Sequence, residues 1–310
     1  MSDKIDSQSE NLFYFVEYKP QDAESISTVK YSYWGAVFYN FTRKKTTIVM
    51  LILFSVLFLL SIIIPGMYGV NYSELPIDLN NAFVLPCREH LFGTDNLGRD
   101  YWIQVWYACG TSIKLSFLVA TGEIILGVVM GLIWGYVQGS DTVFTAIYNI
   151  FDNIPEILVL TLVSLFFGKG FFVMAVALIA FGWLRMAIEV RNMVLIYRDR
   201  EYNLASRCLG TPIHRILIKN ILPYLVSVIV LRMSLSIPTT IALESTLSFL
   251  GLGLDVNTPS LGVLLSNARM YFMDYSYLLL FPAIIVAIIS VTFYLLGNSL
   301  ADATDPKNHR

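Results

Sequence analysis

Charge is the scarce ingredient of this chain. Only 14% of its 310 residues are charged, against 56% hydrophobic, and the mean hydropathy is +0.63. That composition lies far from the soluble globular norm. Cysteine and histidine are rarer still, at three residues each. Cys87, Cys109 and Cys208 have no metal-ligand spacing. They are expected as free thiols, with a Cys87–Cys109 disulfide as the less favoured alternative. His90, His214 and His309 are scattered, and neither HExxH nor GxSxG occurs, which argues against a metalloprotease or a serine hydrolase. No GxxxxGK[ST] loop is present, so the chain carries no P-loop ATPase of its own. No internal repeat, low-complexity tract or cleavable signal is evident.

What the chain has instead is long apolar runs. Thr46–Pro65 and Tyr277–Leu300 contain no charge, and each is long enough to cross a hydrocarbon core of roughly 30 Å. Leu115–Val137, Thr142–Phe167, Phe171–Ile188 and Ile221–Leu243 qualify with one or two ionisable residues each. The expectation is an all-α polytopic membrane protein with six spans. Lys4, Lys19, Lys30, Arg43, Lys44, Lys45, Arg191, Arg198, Arg200, Arg207, Arg215, Lys219, Lys307 and Arg310 fall on one side of such a topology. These are two thirds of the 21 basic residues, and the positive-inside rule puts that side, with both termini, in the cytoplasm.

Between two spans lies a basic segment, Glu201 to Pro223 (EYNLASRCLGTPIHRILIKNILP). It reads as helix, glycine break, helix, and then a proline opening the next span. Gly210 can take the positive φ that closes a helix. Thr211 is expected to cap the next helix, with Pro212 in its first turn. Such a hairpin suits a partner's grip, and the bland alternative is a basic loop obeying the positive-inside rule.

These residues carry a family resemblance. Leu204-Ala205-Ser206, Gly210, Ile216, Leu222 and Pro223 resemble the EAA loop of binding-protein-dependent ABC importer permeases, with leucine replacing the family's glutamate. His90 to Asp100 (HLFGTDNLGRD) resembles the HPFGTDxxGRD segment of the C-type permease subunit of oligopeptide and dipeptide importers. Asp152 and Pro155 fit its D-xx-P pattern, and Trp183, Ala187 and Arg191 fit WxxxARxxR, with Ile188 at the first arginine. Leu247–Gly253 (LSFLGLG) and the closing LADATDPK also fit, while Leu261 stands for the tryptophan of PSWG. The resemblance runs from roughly Tyr31 to Lys307 and implies a fold of the type I ABC importer kind.

By that resemblance the chain is a non-catalytic permease that needs no cofactor and binds no nucleic acid. Its implied partners are a second permease, two cytoplasmic ABC ATPases, an extracytoplasmic substrate-binding protein, a peptide substrate and membrane lipid. The hairpin would pass ATPase motion to the spans, with Glu201, Ala205, Gly210, Thr211, Leu222 and Pro223 as coupling residues. The organisation expected is a cytoplasmic arm over 1–45 and a first span with an extracytoplasmic segment over 46–110. A five-span core over 111–304 carries the coupling loop 191–220, and a short tail covers 305–310. A nickel or small-solute importer, and a self-contained secondary transporter, are the alternative functions.

Charges within spans are costly and tend to face a cavity or a partner. Asp152 and Arg232 should lie at similar depth, and are expected to approach one another or share the translocation path, unless each pairs with the partner permease. Ser227, Ser234, Ser236, Thr239 and Thr240 suit helix packing more than pore lining, although Ser236 is a candidate for the path. Glu156 would satisfy backbone groups freed by Pro155. Glu244 is placed near the outer mouth, where it could meet a peptide's amino terminus. Phe92–Tyr107 reads as a helix at the outer interface or an aromatic belt. Glu244–Asp274 reads as an ordered re-entrant or capping segment. The arm, with Tyr31, Tyr33 and Trp34, has the look of an interfacial anchor.

Overall fold

The computed structural model describes residues 33–69, 72–137, 139–255 and 258–304. The arm before Tyr33 and the tail after Thr304 lie outside the described residues, and with them the expectations placed there. Eleven helices are described: α1 (Tyr33–Arg43), α2 (Lys45–Tyr68), α3 (Tyr101–Tyr136), α4 (Ser140–Asp152), α5 (Glu156–Phe167) and α6 (Phe171–Arg198). They are followed by α7 (Glu201–Cys208), α8 (Ile213–Ile216), α9 (Leu222–Phe249), α10 (Leu261–Ala268) and α11 (Tyr277–Thr304). No strand occurs among the described residues.

Five helical stretches are long and apolar enough to span a membrane, and the bent pair α4–α5 passes the same test together, giving six when the pair is counted as one broken span. The expected continuous run Thr142–Phe167 is therefore corrected. It bends by 81° between Asp152 and Glu156, because Pro155 has no N–H to continue the ladder. The expected span Leu115–Val137 is the second half of α3, a 36-residue helix that begins at Tyr101. The interfacial helix expected over Phe92–Tyr107 is thus a folded loop followed by the first turns of α3. Six crossings bring Tyr33 and Thr304 to the same end of the bundle as α7. That end is called the hairpin end below, and the other the far end.

A glycine seam holds the centre. Gly127, Gly131 and Gly135 recur at helical spacing on α3 and lie against α6. A Cβ at Gly131 would sit 2.6 Å from the carbonyl oxygen of Ala187, and one at Gly135 2.7 Å from Val194 Cβ. Without side chains at these positions the two backbones approach closely, the packing mode that replaces hydrophobic drive inside lipid. One apolar core joins Leu57, Val105, Ile113, Ile237, Ile241, Leu264, Ile289 and Phe293 from α2, α3, α9, α10 and α11. A second, at the hairpin end, gathers Tyr136, Met186, Val190, Val194, Ile216, Ile221 and Leu225. The segment after α9 is ordered as expected: α10 returns into the bundle with Leu261, Leu264 and Ala268 buried. Apolar side chains left exposed on α2, such as Ile52, Val56 and Leu59, form a face suited to lipid.

Candidate functional site: the hairpin and the polar pocket

The hairpin forms where its sequence places it. Gly210 has φ +74°, and its N–H donates to the Arg207 carbonyl at 2.9 Å. The Thr211 N–H reaches back to the Ser206 carbonyl at 3.0 Å, so the end of α7 is closed by backbone bonds. Thr211 does not cap α8. Pro212 occupies the cap position, and no side chain bonds there. Pro223 stands, as expected, in the first turn of α9, which begins at Leu222. Leu217–Ile221 winds as a π-helical turn that runs directly into α9. The wider turn lets the Leu222 N–H bond Leu217 O, so the ring of Pro223 enters a continuous helix.

The hairpin is fastened to the bundle by a few named bonds. Asn203 is fully buried. Its amide donates to Tyr197 O at 2.9 Å, and its side-chain oxygen accepts from Asn220 Nδ2 at 3.0 Å. Arg198 donates to Gly135 O at 2.9 Å, and Arg207 donates to the Tyr136 hydroxyl at 3.1 Å while lying over that ring. Burial raises the Tyr202 phenol above its usual pKa. Sequence reasoning missed Asn203 and Asn220, which carry no periodic signal.

The hairpin leaves apolar side chains uncovered among exposed charged ones such as Glu201, Arg215 and Lys219. Leu209 is 84% exposed and Ile213 54%, with Leu204 and Ala205 beside them. Of the expected coupling residues, Glu201, Ala205, Gly210 and Pro223 are exposed, and Thr211 and Leu222 are half-buried.

Inside the bundle, the intramembrane charges pair differently from expectation. Arg232 of α9 is ion-paired with Glu189 of α6, not with Asp152. Arg185 of α6 holds Glu156 of α5, so Glu156 is engaged by a guanidinium rather than by backbone freed at Pro155. The Ser236 hydroxyl donates to Glu123 of α3. Glu123, Glu156, Arg185, Arg232 and Ser236 line one cleft of about 70 Å³. Asp152 lines a neighbouring one of about 190 Å³ with Tyr148, and Glu156 and Arg185 border both. The bend at Pro155 ends α4 at Asp152 and sends it to the second chamber.

Glu244 is not presented at a mouth. It is 1% exposed, accepts from Ser248 at 2.6 Å and Ser260 at 2.5 Å, and rests against Gly262. It pins α10 to α9. Ser234 meets Gly297 of α11 in the packing role expected for the hydroxyls of that span.

At the far end, the loop before α3 is a closed hydrogen-bonded knot. Asp95 accepts from the N–H groups of Leu97 (2.9 Å) and Arg99 (2.8 Å), from Gln104 Nε2 (2.9 Å) and from the Arg99 guanidinium. Thr94 is fully buried, donating to Asn81 O at 2.6 Å. Asp100 caps α3 by accepting from Trp102 N and pairs with His90 at 2.9 Å. Gly93 (φ +75°) and Gly98 (φ +71°) make turns that other residues resist. Tyr72 donates to Gln104, and burial raises its pKa, partly offset by Arg99. Cys87, Cys109 and Cys208 are free thiols. No group of three or more metal-ligating residues occurs among the described residues.

Comparison with known proteins fits this geometry. The family model described as "Binding-protein-dependent transport system inner membrane component" matches residues 124–310. The oligopeptide transport system permease protein AmiD of Streptococcus pneumoniae is 38% identical over 96% of this chain and 97% of its own length. The oligopeptide permease OppC of Bacillus subtilis is 34% identical, over 96% of this chain and 97% of its own length. The dipeptide permease DppC of the same organism is 33% identical over 94% of this chain and 91% of its own length. Among solved structures, an inward-facing MetNI methionine ABC transporter chain has a TM-score of 0.55 at 18% identity, covering 65% of this chain and 96% of that one. That likeness supports the helical fold. On these matches, the chain belongs to the inner-membrane components of binding-protein-dependent transport systems.

Proposed function

We propose that this chain is the permease subunit of an ATP-driven importer that carries oligopeptides or dipeptides into the cell. Full-length similarity to permeases named for those substrates supports the substrate class. The observation that carries the mechanism is the hairpin. Its root is clamped by Asn203, Asn220 and buried Ile216, and its tip offers Leu209 and Ile213 to a partner. A unit rooted in this way moves the spans when its tip is pushed, which is what rigid-body coupling to an ATPase requires. Membership of the binding-protein-dependent family sets aside a self-contained secondary transporter.

In this reading the hairpin end is cytoplasmic, as the basic residues favour. Glu201, Ala205, Gly210 and Thr211 lie at the ATPase contact, while Leu222 and Pro223 transmit motion into α9. The far end faces the substrate-binding protein. A second permease completes the path, with Asp152, Arg232 and Ser236 bordering it on this side.

The test is ATP-dependent uptake of a labelled peptide in cells lacking other peptide importers, with and without Gly210→Pro, alongside membrane abundance. Proline cannot adopt φ +74° and removes the N–H bonded to Arg207. The expected result is a variant that inserts but does not transport. Uptake surviving the proline would show that the hairpin is not the coupling element. Peptide uptake indifferent to the chain would sink the substrate class and return nickel or another small solute.

A further inference from the structure

Five ionisable side chains meet between α3, α5, α6 and α9, and they do not balance. Glu156 and Glu189 are taken up by Arg185 and Arg232. Glu123 has no ion-pair partner among the described residues and holds only the Ser236 hydroxyl by hydrogen bond. Room for this carboxylate is built into the fold: a Cβ on Gly182 would collide with it. Glu123 lies about 20 Å from the hairpin end of α3, and Arg232 about 15 Å along α9, so the cluster is near mid-depth.

This face does not meet lipid. The Arg185 and Arg232 side chains are 55% and 42% exposed in the single chain. Charged groups uncovered at membrane depth border an aqueous cavity or another protein. The cleft they line mixes apolar side chains, including Ile124, Met186, Met233 and Leu243, with the hydroxyls of Ser236 and Thr239. It adjoins the chamber of Asp152 across Glu156 and Arg185.

We propose that this cleft is where the permease holds the ammonium group of its substrate during passage, with Glu123 as the recognising carboxylate. An ammonium presents three donors and no acceptor. Glu123, Ser236 and Thr239 present oxygen acceptors, and of the carboxylates lining the cleft Glu123 is the one not taken up by a guanidinium. A substrate carboxylate would find both guanidiniums already paired. A peptide would therefore pass with its amino end at Glu123 and its carboxyl end elsewhere. This inference rests on the peptide-import reading above.

The experiment uses the complete importer in proteoliposomes with its binding protein. The probe is trialanine carrying a diazirine on either its amino-terminal or its carboxy-terminal residue. After illumination during turnover, adducts are mapped on this chain. The amino-terminal label is expected on residues around Glu123, Gly182 and Ser236, and the carboxy-terminal label elsewhere. Glu123→Gln, nearly isosteric, should lower trialanine uptake about tenfold, the size of one charge-assisted hydrogen bond. Glu123→Asp should recover most of it. Equal labelling of the cleft by both probes, or wild-type uptake by Glu123→Gln, overturns the proposal. Should Glu123→Gln fail to assemble, the adduct map of the wild type decides. A wild type that imports no trialanine or other peptide overturns the peptide reading itself, an outcome distinct from loss of Glu123's role alone.

Discussion

The two ends of this bundle solve the same problem in opposite ways. Each must take polar connecting chain around a helical core. At the far end, the stretch 94–100 turns polar groups inward, with Asp95 6% exposed among backbone and side-chain donors and Thr94 fully buried, while Ile77, Leu79, Leu85 and Leu91 of the same loop stay exposed. At the hairpin end, Asn203 and Asn220 fasten the root, and Leu209 is left outside at 84% exposure together with exposed Glu201, Arg215 and Lys219. A closed knot of hydrogen bonds holds its own shape without a partner. An uncovered apolar tip on a rigid root is a surface awaiting one. The difference teaches that polarity alone does not mark a docking site. What marks it is where the satisfied bonds stop.

The comparison breaks most directly at Asp95. Replacing it with alanine leaves the Arg99 guanidinium and two backbone N–H groups without their acceptor. Removing one partner of a buried pair costs about 3–5 kcal/mol. We expect Asp95→Ala to lower the thermal midpoint of the detergent-purified assembly by several degrees and to reduce membrane abundance. Asp95→Glu should also destabilise, because a longer side chain shifts the oxygen that accepts from the N–H groups of Leu97 and Arg99. Unchanged melting in Asp95→Ala would mean the far end is not the closed knot its hydrogen bonds describe.

The hairpin root should yield a smaller effect. Asn203→Ala and Asn220→Ala each remove one side of a part-buried amide pair, worth about 1 kcal/mol. The double variant should cost less than the two singles combined, because the shared bond is lost only once. Transport should fall further than stability, since a loosened root still folds but no longer passes motion on. Strict additivity in melting would show that the two amides do not act as a pair. Leu209→Glu, at the uncovered tip, should leave melting of the isolated subunit within about 0.5 kcal/mol and weaken co-purification of the ATPase. If co-purification is unchanged, the tip is not the docking surface.

Much of this architecture was legible in the residues. Five spans announced themselves as apolar runs, two without charge and three with one charged residue each, and the hairpin break as a glycine followed by Thr-Pro. The bend in the third span was half-legible. Pro155 marked the break, but the 81° angle depends on how α5 packs against α6. Charge pairing was not legible, because which carboxylate meets Arg232 depends on the relative rotation of α6 and α9. Depth estimates along single helices chose Asp152, where the fold supplies Glu189. Glu244 was misread for a related reason. Its position near the end of α9 suggested a mouth, but α10 folds back and buries it. Glu123 passed unnoticed as one ionisable residue in a long run. The spacing of Gly127, Gly131 and Gly135 was the signal that α3 has a close neighbour on that face.

The smallest effect belongs to Lys44 and Asp302, which join the start of α2 to the last turns of α11 at 2.8 Å, also at the hairpin end. Their side chains are 48% and 62% exposed, so solvent screens the pair and rotamer entropy opposes it. Lys44→Ala is expected to change the stability of the assembly by no more than about 0.5 kcal/mol, read from its melting, and the change should vanish in high salt. The contrast with Asp95 is the point of measuring it. Both are drawn as ion pairs of similar length, yet only the one at the far end is enclosed and shares its oxygens with backbone donors. A large, salt-insensitive loss on removing Lys44 would mean that the hairpin end, too, is held by an enclosed charge. The asymmetry between the ends would then have to rest on the uncovered apolar tip alone.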